Sequence, residues 1–426
     1  MRLLYVVHQF MPDVVGGTEL DTWEIATRLR DRGHQVAIVH RAPGRGGLVR
    51  RTQEDVAIYR LEAGEMSPTR LFAATFGHRR LSQAFRLAHD EVAPDLVHVQ
   101  HLRGLPTGIV AWMQSRGTPM VLTLHDFWFV CPNAQLIDNV TGEVCTTPGE
   151  PVHCARCALA RAGLRPALFA APLLAPLMRA RNRILADALR GFDSILTYSA
   201  FVRRWFVEHG APAARTRLIN RGIARPEALP RSRRTDDGRV CLAYVGGLAW
   251  QKGLHVLIEA FNGLPTNAEL IIAGDVEQDP DYVAHLRALA RHPGIRFVGR
   301  LERPEVWQTL ADADAVVVPS LWYETFSLLT REAFVMGRPV LASGHGVLAD
   351  AVTHGVDGLL VPPGDVGAWH KALARFVASA ALRVNLTAAV KPLPTMDVTI
   401  DELEAIYQRT LASRTRSSPR RPGLPL

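Results

Sequence analysis

The stretch "DAVVVPSLWYETFSLLTREAFVMGRP" (residues 314–339) decides how the second half of the chain is read. Its opening "DAVVVPS" carries the apolar, valine-rich run Ala315–Val318, the pattern of a buried strand. "LWYETF" (321–326) reads as a loop, and "SLLTREAFVMG" (327–337) as a helix with Ser327 at its N-cap. That order puts Glu324 at the carboxyl end of the strand and Glu332 on the helix. A loop carboxylate there can accept hydrogen bonds from sugar hydroxyls, and a helical one can grip a ribose. The amides of Thr325, Phe326 and Ser327 can meet phosphate oxygens at the helix start. The plainer reading has Glu324 paired locally and Glu332 facing solvent.

The same alternation runs outward in both directions. "LLYVVH" (3–8) precedes a helical pattern at 17–33. "QVAIVH" (35–40), "DLVHVQ" (95–100), "PMVLTLHD" (119–126), "DSILTYS" (193–199) and "TRLINRG" (216–222) continue it. A second series contains "VCLAYVGG" (240–247), "AELIIAGD" (268–275), "IRFVGR" (295–300), "PVLAS" (339–343) and "GLLVPPGD" (358–365). Strands alternating with helices predict βαβ units and parallel sheets. The expected fold class is α/β, with two Rossmann-like, doubly wound domains facing across a cleft and ligands at the strands' carboxyl ends. The first domain spans 1–225, and a Pro/Arg-rich linker fills 226–239. The second domain spans 240–395. A helix at 396–412, packed back on the first domain, and a disordered tail at 413–426 complete the chain.

Composition sets outer bounds. A chain of 426 residues is too long for one ordinary core. Its formal charge of +8 favours an anionic partner, either a nucleotide or a phospholipid surface. Nucleic acid is not expected, because no basic stripe interleaved with aromatics occurs. The N-terminus lacks the apolar length and cleavage site of a signal peptide, and no long apolar run follows. The expected compartment is the cytoplasm.

Two glycine turns follow strands. Gly16 and Gly17 open the first helix, where glycine lets a ligand approach the backbone and helix amides face an anion. Taken alone, they read equally well as a simple turn. In "YVGGLAWQKG" (244–253), Lys252 stands just before a helix and can supply charge to a diphosphate. Taken alone, it reads equally well as a solvated lysine.

Taken together, "GGTE" (16–19), "VGGLAWQKG" (245–253), "THGVDGLLVPPGD" (353–365) and the E-x7-E pair Glu324/Glu332 resemble the retaining GT-B glycosyltransferases of the group-1 or family-4 type. The likeness covers the chain up to residue 412. It implies a nucleotide-diphosphate sugar as donor and a glycan, glycolipid or small-molecule hydroxyl as acceptor. Glu332 would hold the ribose, Glu324 the donor sugar, and Lys252 the diphosphate. The amides of Phe326, Ser327, Leu328 and Leu329 would lie near phosphates or sugar, and Gly16 and Gly17 would let the first domain close on the leaving phosphate. His125 in "TLHD" would sit beside the sugar, and the strand end at Arg300 would contact the base. No cofactor is required for such catalysis, whose work is positioning and charge stabilisation. The likeness departs at Gly247, where the family usually has arginine. Arg221, Arg300 or Arg338 are the candidates to replace it. An epimerase or phosphorylase of the same architecture, or a non-catalytic nucleotide-sugar-binding protein, are the rival readings.

Two segments stand apart. Cys131, Cys145, Cys154 and Cys157 fall in a Pro/Gly/Thr-rich loop at 131–157. They fit either a structural four-thiolate zinc site or free thiols. "RAGLRPALFAAPLLAPLMRARNRILADALRG" (161–191) mixes apolar residues with six arginines and has no acid before Asp187. It reads either as a peripheral contact with an anionic membrane or as a helical face packed on its own domain.

Overall fold

The structure, a computed structural model, describes residues 1–14, 16–234 and 237–417. In the first domain the apolar runs form β1 (Arg2–Val7), β2 (Gln35–Ala42), β3 (Gly47–Gln53), β4 (Val56–Glu62), β5 (Leu96–Val99), β6 (Met120–Thr123), β7 (Ser194–Thr197) and β8 (Thr216–Leu218). They line up as β3–β4–β2–β1–β5–β6–β7–β8. Every pairing is parallel except that of β3 with β4. β5, β6 and β7 are buried at every residue. Cover on both faces explains their continuous apolar sequence. β3, which the sequence reading omitted, is a half-exposed edge strand carrying Arg50 and Arg51, charges that discourage further pairing.

The second domain contains β9 (Val240–Val245), β10 (Ala268–Ala273), β11 (Ile295–Gly299), β12 (Ala315–Val318), β13 (Val340–Ser343) and β14 (Gly358–Val361). Their order is β11–β10–β9–β12–β13–β14, all parallel. Strand order reverses between β9 and β12, and in the first sheet between β1 and β5. The crevice at such a reversal is where open α/β sheets bind ligands.

The chain passes between the domains at two adjacent places. Ile223 and Thr395 form a parallel bridge, and the Gly222 amide donates to Thr399 Oγ1 at 2.7 Å. A Cβ on Gly222 would stand 2.0 Å from the Thr395 carbonyl oxygen, so this crossing requires glycine. The closing helix, Met396–Ser417, runs past the expected end at 412 into the stretch read as tail. The remainder of that stretch, from 418, lies outside the described residues. Ile400, Leu403, Ile406 and Tyr407 of this helix pack with Leu3, Tyr5 and Ile25 of the first domain. Tyr407 Oη lies 2.5 Å from Tyr5 Oη and 2.7 Å from His98 Nδ1.

One expectation is corrected. The segment read as a loop at 131–157 ends in a helix, Pro151–Arg161, so Cys154 and Cys157 sit a turn apart on it. The Glu150 carboxylate accepts from the amides of Val152 (3.1 Å) and His153 (2.5 Å), with Pro151 in the first helical position. Cap and proline together start the helix. A 21-residue helix, Ala171–Gly191, follows. No helix among the described residues is long and apolar enough to cross a membrane.

Candidate active site

The loops after β9 and β12 meet at the second sheet's strand-order reversal. Gly253 (φ 72°) makes the meeting possible, since a Cβ there would lie 2.0 Å from the Pro319 carbonyl oxygen. Lys252 Nζ then donates to Glu324 Oε1 at 2.9 Å, and Ser320 Oγ donates to the same oxygen at 2.6 Å. Burial alone would raise the Glu324 pKa. The Lys252 charge and hydrogen bonds from Ser320, Lys252 and Ser327 outweigh it and hold the carboxyl below its ordinary range. Glu324 is therefore ionised at neutral pH. The Lys252 ammonium also lies 5.1 Å from the Trp322 ring centroid.

Ser327 precedes the helix Leu328–Val335 in a left-handed conformation (φ 58°). A non-glycine residue held there costs about 1–3 kcal/mol, and such strain clusters at functional sites. Ser327 holds the expected N-cap position, but its hydroxyl makes no capping bond and pairs instead with Thr330 Oγ1 at 2.9 Å. Glu332, on the same helix, is buried with its carboxylate 2.8 Å from Arg303 Nη2. Burial raises its pKa against the pull of that guanidinium.

The first domain supplies the opposite wall. Arg221 Nε lies 2.5 Å from Asp21 Oδ1 and Arg221 Nη2 lies 3.7 Å from Glu24 Oε2. Tyr198 Oη donates to Asp21 Oδ2 at 2.8 Å. The guanidinium of Arg221 packs 5.8 Å from the Tyr198 ring and 5.7 Å from that of Phe326, a residue of the other domain. His125 Nε2 is 2.6 Å from Gln100 Oε1. Burial drives the His125 pKa down to about 4, so the ring is neutral at pH 7. Thr325 Oγ1 reaches across to donate to the His125 carbonyl oxygen at 2.7 Å.

The cleft between these walls encloses about 410 Å³, within the size range of small-molecule sites. Of the residues expected from sequence, Gly17, His125, Lys252, Glu324, Phe326, Ser327, Leu328 and Leu329 line it. A Cβ on Gly17 would meet nothing within 4 Å and would occupy the cleft itself. Gly16 is not among the lining residues, and a Cβ there would sit 2.7 Å from the Glu19 carboxylate. Arg300 lines a neighbouring recess that shares Val245 and Gly246 with the cleft. Glu332 is not among the lining residues, and its carboxylate pairs with Arg303. Asp21 and Tyr198 line it without having been placed there from sequence. Of the three arginines weighed for the departure at Gly247, Arg221 is in the cleft. Arg338 instead donates to the Ala311 carbonyl, outside the lining.

None of the clustered cysteines is in a disulfide. Cys131 Sγ donates to Asn133 Oδ1 at 2.7 Å, and Cys157 Sγ accepts from Asn139 Nδ2 at 3.1 Å. Burial pushes Cys145 up to about 11 and Cys154 up to about 12. Among the described residues no group of three or more His, Cys, Asp or Glu side chains is placed to hold a metal ion.

Two doubly wound domains with a charged cleft at their strand-order reversals define the GT-B architecture. A family model described as glycosyltransferase family 4 matches residues 15–225, and one described as glycosyl transferases group 1 matches 239–379. The chain belongs to this group-1/family-4 set of glycosyltransferases. It is 28% identical to a glycogen synthase of Mycobacterium tuberculosis over 86% of this chain and 83% of that one. It is also 28% identical to a D-inositol 3-phosphate glycosyltransferase of Nocardiopsis dassonvillei, over 94% and 91% of the two chains. Among solved structures, a sucrose-phosphate synthase of Thermosynechococcus elongatus superimposes with a TM-score of 0.72 at 20% identity, covering 96% of this chain and 99% of that one. Anabaena HepE, solved in complex with UDP and glucose, superimposes with a TM-score of 0.65 at 20% identity and the same coverage.

Proposed function

We propose that the enzyme moves a hexose from a nucleotide-diphosphate sugar, held by the second domain, to a hydroxyl of a glycan, glycolipid or small molecule presented by the first, with retention of anomeric configuration. The observation that carries this reading is the Lys252–Glu324 pair, set at a strand-order reversal with Glu324 buried and lining one cleft with Gly17 and His125. Lys252 offers a cation to a diphosphate, and Glu324 offers an ionised acceptor to sugar hydroxyls. Neutral His125 can share a hydrogen bond with the sugar without adding charge. Arg221 supplies the second positive charge that Gly247 lacks. A ribose contact by Glu332 requires Arg303 to give up part of that carboxylate. The HepE complex with UDP and glucose supports a UDP-sugar as the first donor to try.

In the reaction the bond from the anomeric carbon to phosphate oxygen breaks, while the acceptor oxygen bonds that carbon from the same face. The acceptor's proton passes to the departing diphosphate. No side chain need become covalently attached, so the protein's contribution is positioning and charge stabilisation. A melting-temperature screen over UDP-, GDP-, ADP- and TDP-sugars tests the reading, because a ligand of the native state raises that temperature. One donor should stand out, and NMR of the transfer product should show the donor's anomeric configuration preserved. No response to any nucleotide sugar, an inverted product, or epimerisation of the donor without acceptor would overturn it.

A further inference from the structure

We propose that the arm formed by residues 151–191 docks on an anionic phospholipid bilayer. The arm comprises the helix Pro151–Arg161, a 3-10 turn at Arg165–Ala170 and the helix Ala171–Gly191. Its inner side is ordinary core, where Ala171 and Met178 pack with Cys154 and Ala155. Its outer side is not. Phe169 is 85% exposed and Leu173 83%, with Leu164 at 52% and Leu177 at 42%. Leu173 and Leu177 stand one turn apart, with Phe169 just ahead of them. Large side chains left this bare in one short segment mark an interaction surface rather than scattered exposure.

Charge identifies the occupant. Arg156, Arg161, Arg165, Arg179 and Arg183 are all exposed. None of them forms an ion pair with a carboxylate among the described residues. No acid occurs between Glu150, which caps the first helix, and Asp187, which holds Arg190 at 2.8 Å. Apolar tips surrounded by unpaired guanidiniums suit the bilayer interface, where tips enter the acyl region and arginines meet lipid phosphates. A second copy of the chain suits it poorly, because a two-fold interface would bring the same cationic patch against itself.

The arm is firmly seated. Arg181, fully buried, donates to the Val130 carbonyl at 3.3 Å and to that of Trp128, whose ring lies 5.5 Å from its guanidinium. Arg165 donates to the Asn139 carbonyl at 3.1 Å. Beyond Asn139 the chain approaches the second domain at Gly142, where an added Cβ would stand 3.4 Å from the Trp250 ring.

Co-sedimentation of the full chain with two vesicle compositions tests this, one of phosphatidylcholine alone and one with about a third phosphatidylglycerol. Binding should be confined to the anionic vesicles and should weaken as salt rises. The double variant Phe169→Ser/Leu173→Ser should lose at least about tenfold in affinity while keeping its melting temperature, since both side chains are solvent-facing. Phe169→Trp should show a fluorescence blue shift on adding anionic vesicles. Equal binding to neutral vesicles, binding indifferent to the double variant, or self-association that the double variant abolishes without any lipid binding would each overturn the proposal. Vesicle binding is read without turnover, so its failure is separate from failure of the functional reading.

Discussion

Glu324 and Asp21 face each other across one cleft, both buried and each with a cation at hydrogen-bond distance, yet they are held differently. The partner of Glu324 is Lys252, a flexible ammonium whose side chain is 25% exposed. The partner of Asp21 is Arg221, 5% exposed, bracketed by Glu24, the Tyr198 hydroxyl on the same carboxylate, and two aromatic rings. A lysine at the edge of solvent can turn toward an incoming anion at small cost. An arginine tied on several sides cannot leave without stranding a buried charge. The second domain thus carries charges able to change partner when a ligand arrives, and the first carries charges that keep the wall in place. His125 extends the contrast, since it is neutral and bonded to Gln100 within its own domain.

The sharpest way to break this comparison is Glu324→Ala. Transfer should fall at least about a hundredfold, as when one polar group at a reacting centre is removed. The melting temperature should stay close to that of the parent, because Lys252 can turn to solvent. Activity within a few-fold of the parent would remove Glu324 from the site.

Acid should separate the domains next. His40 and His125 are pushed down to about 4 and His98 to about 3, each chiefly by burial, and all three lie in the first domain. The unfolded chain protonates these rings near their ordinary value of 6.5, whereas the folded chain does so only near 4 or below. Their contribution to stability is complete above pH 6.5 and is lost as pH falls toward 4, by about 1.4 kcal/mol per pH unit for each ring at most. Hydrogen exchange at successive pH values should show the first sheet opening before the second. Simultaneous opening would defeat the contrast.

Asp21→Ala reads the contrast in stability alone. It strands the Arg221 charge and should lower the unfolding free energy by about 3 kcal/mol. Chemical denaturation checks this, and a loss under about 1 kcal/mol would mean that Arg221 is as free as Lys252.

The two walls also differ in how far they could be read from sequence. The second domain's groups sit in the two loops flanking a single strand-order reversal, each directly after an apolar strand. Strand pattern alone therefore put Glu324 and Lys252 at the same edge. Asp21, Tyr198 and Arg221 are spread over 200 positions (from 21 to 221), on a helix and after two different strands, and nothing local marks Tyr198 or Asp21 as cleft residues. For Glu332 the spacing gives the helix position but says nothing of Arg303, whose guanidinium lies 2.8 Å from its carboxylate. The helix Pro151–Arg161 was hidden by its Pro- and Gly-rich approach, although Glu150 followed by Pro151 is a start signal that the cysteine spacing drew attention away from. The β3–β4 hairpin was missed because "VRRTQEDVAIYR" (49–60) is an edge sequence, charged where a central strand would be apolar.

The closing helix has a consequence for how the gene may be shortened. It is translated directly after the second domain, yet Ile400, Leu403, Ile406 and Tyr407 roof the sheet made from the first residues of the chain. A stop codon just past Thr395 would leave every strand encoded and still uncover the opposite domain. The amino-terminal half is thus unfinished until the ribosome has read past Tyr407.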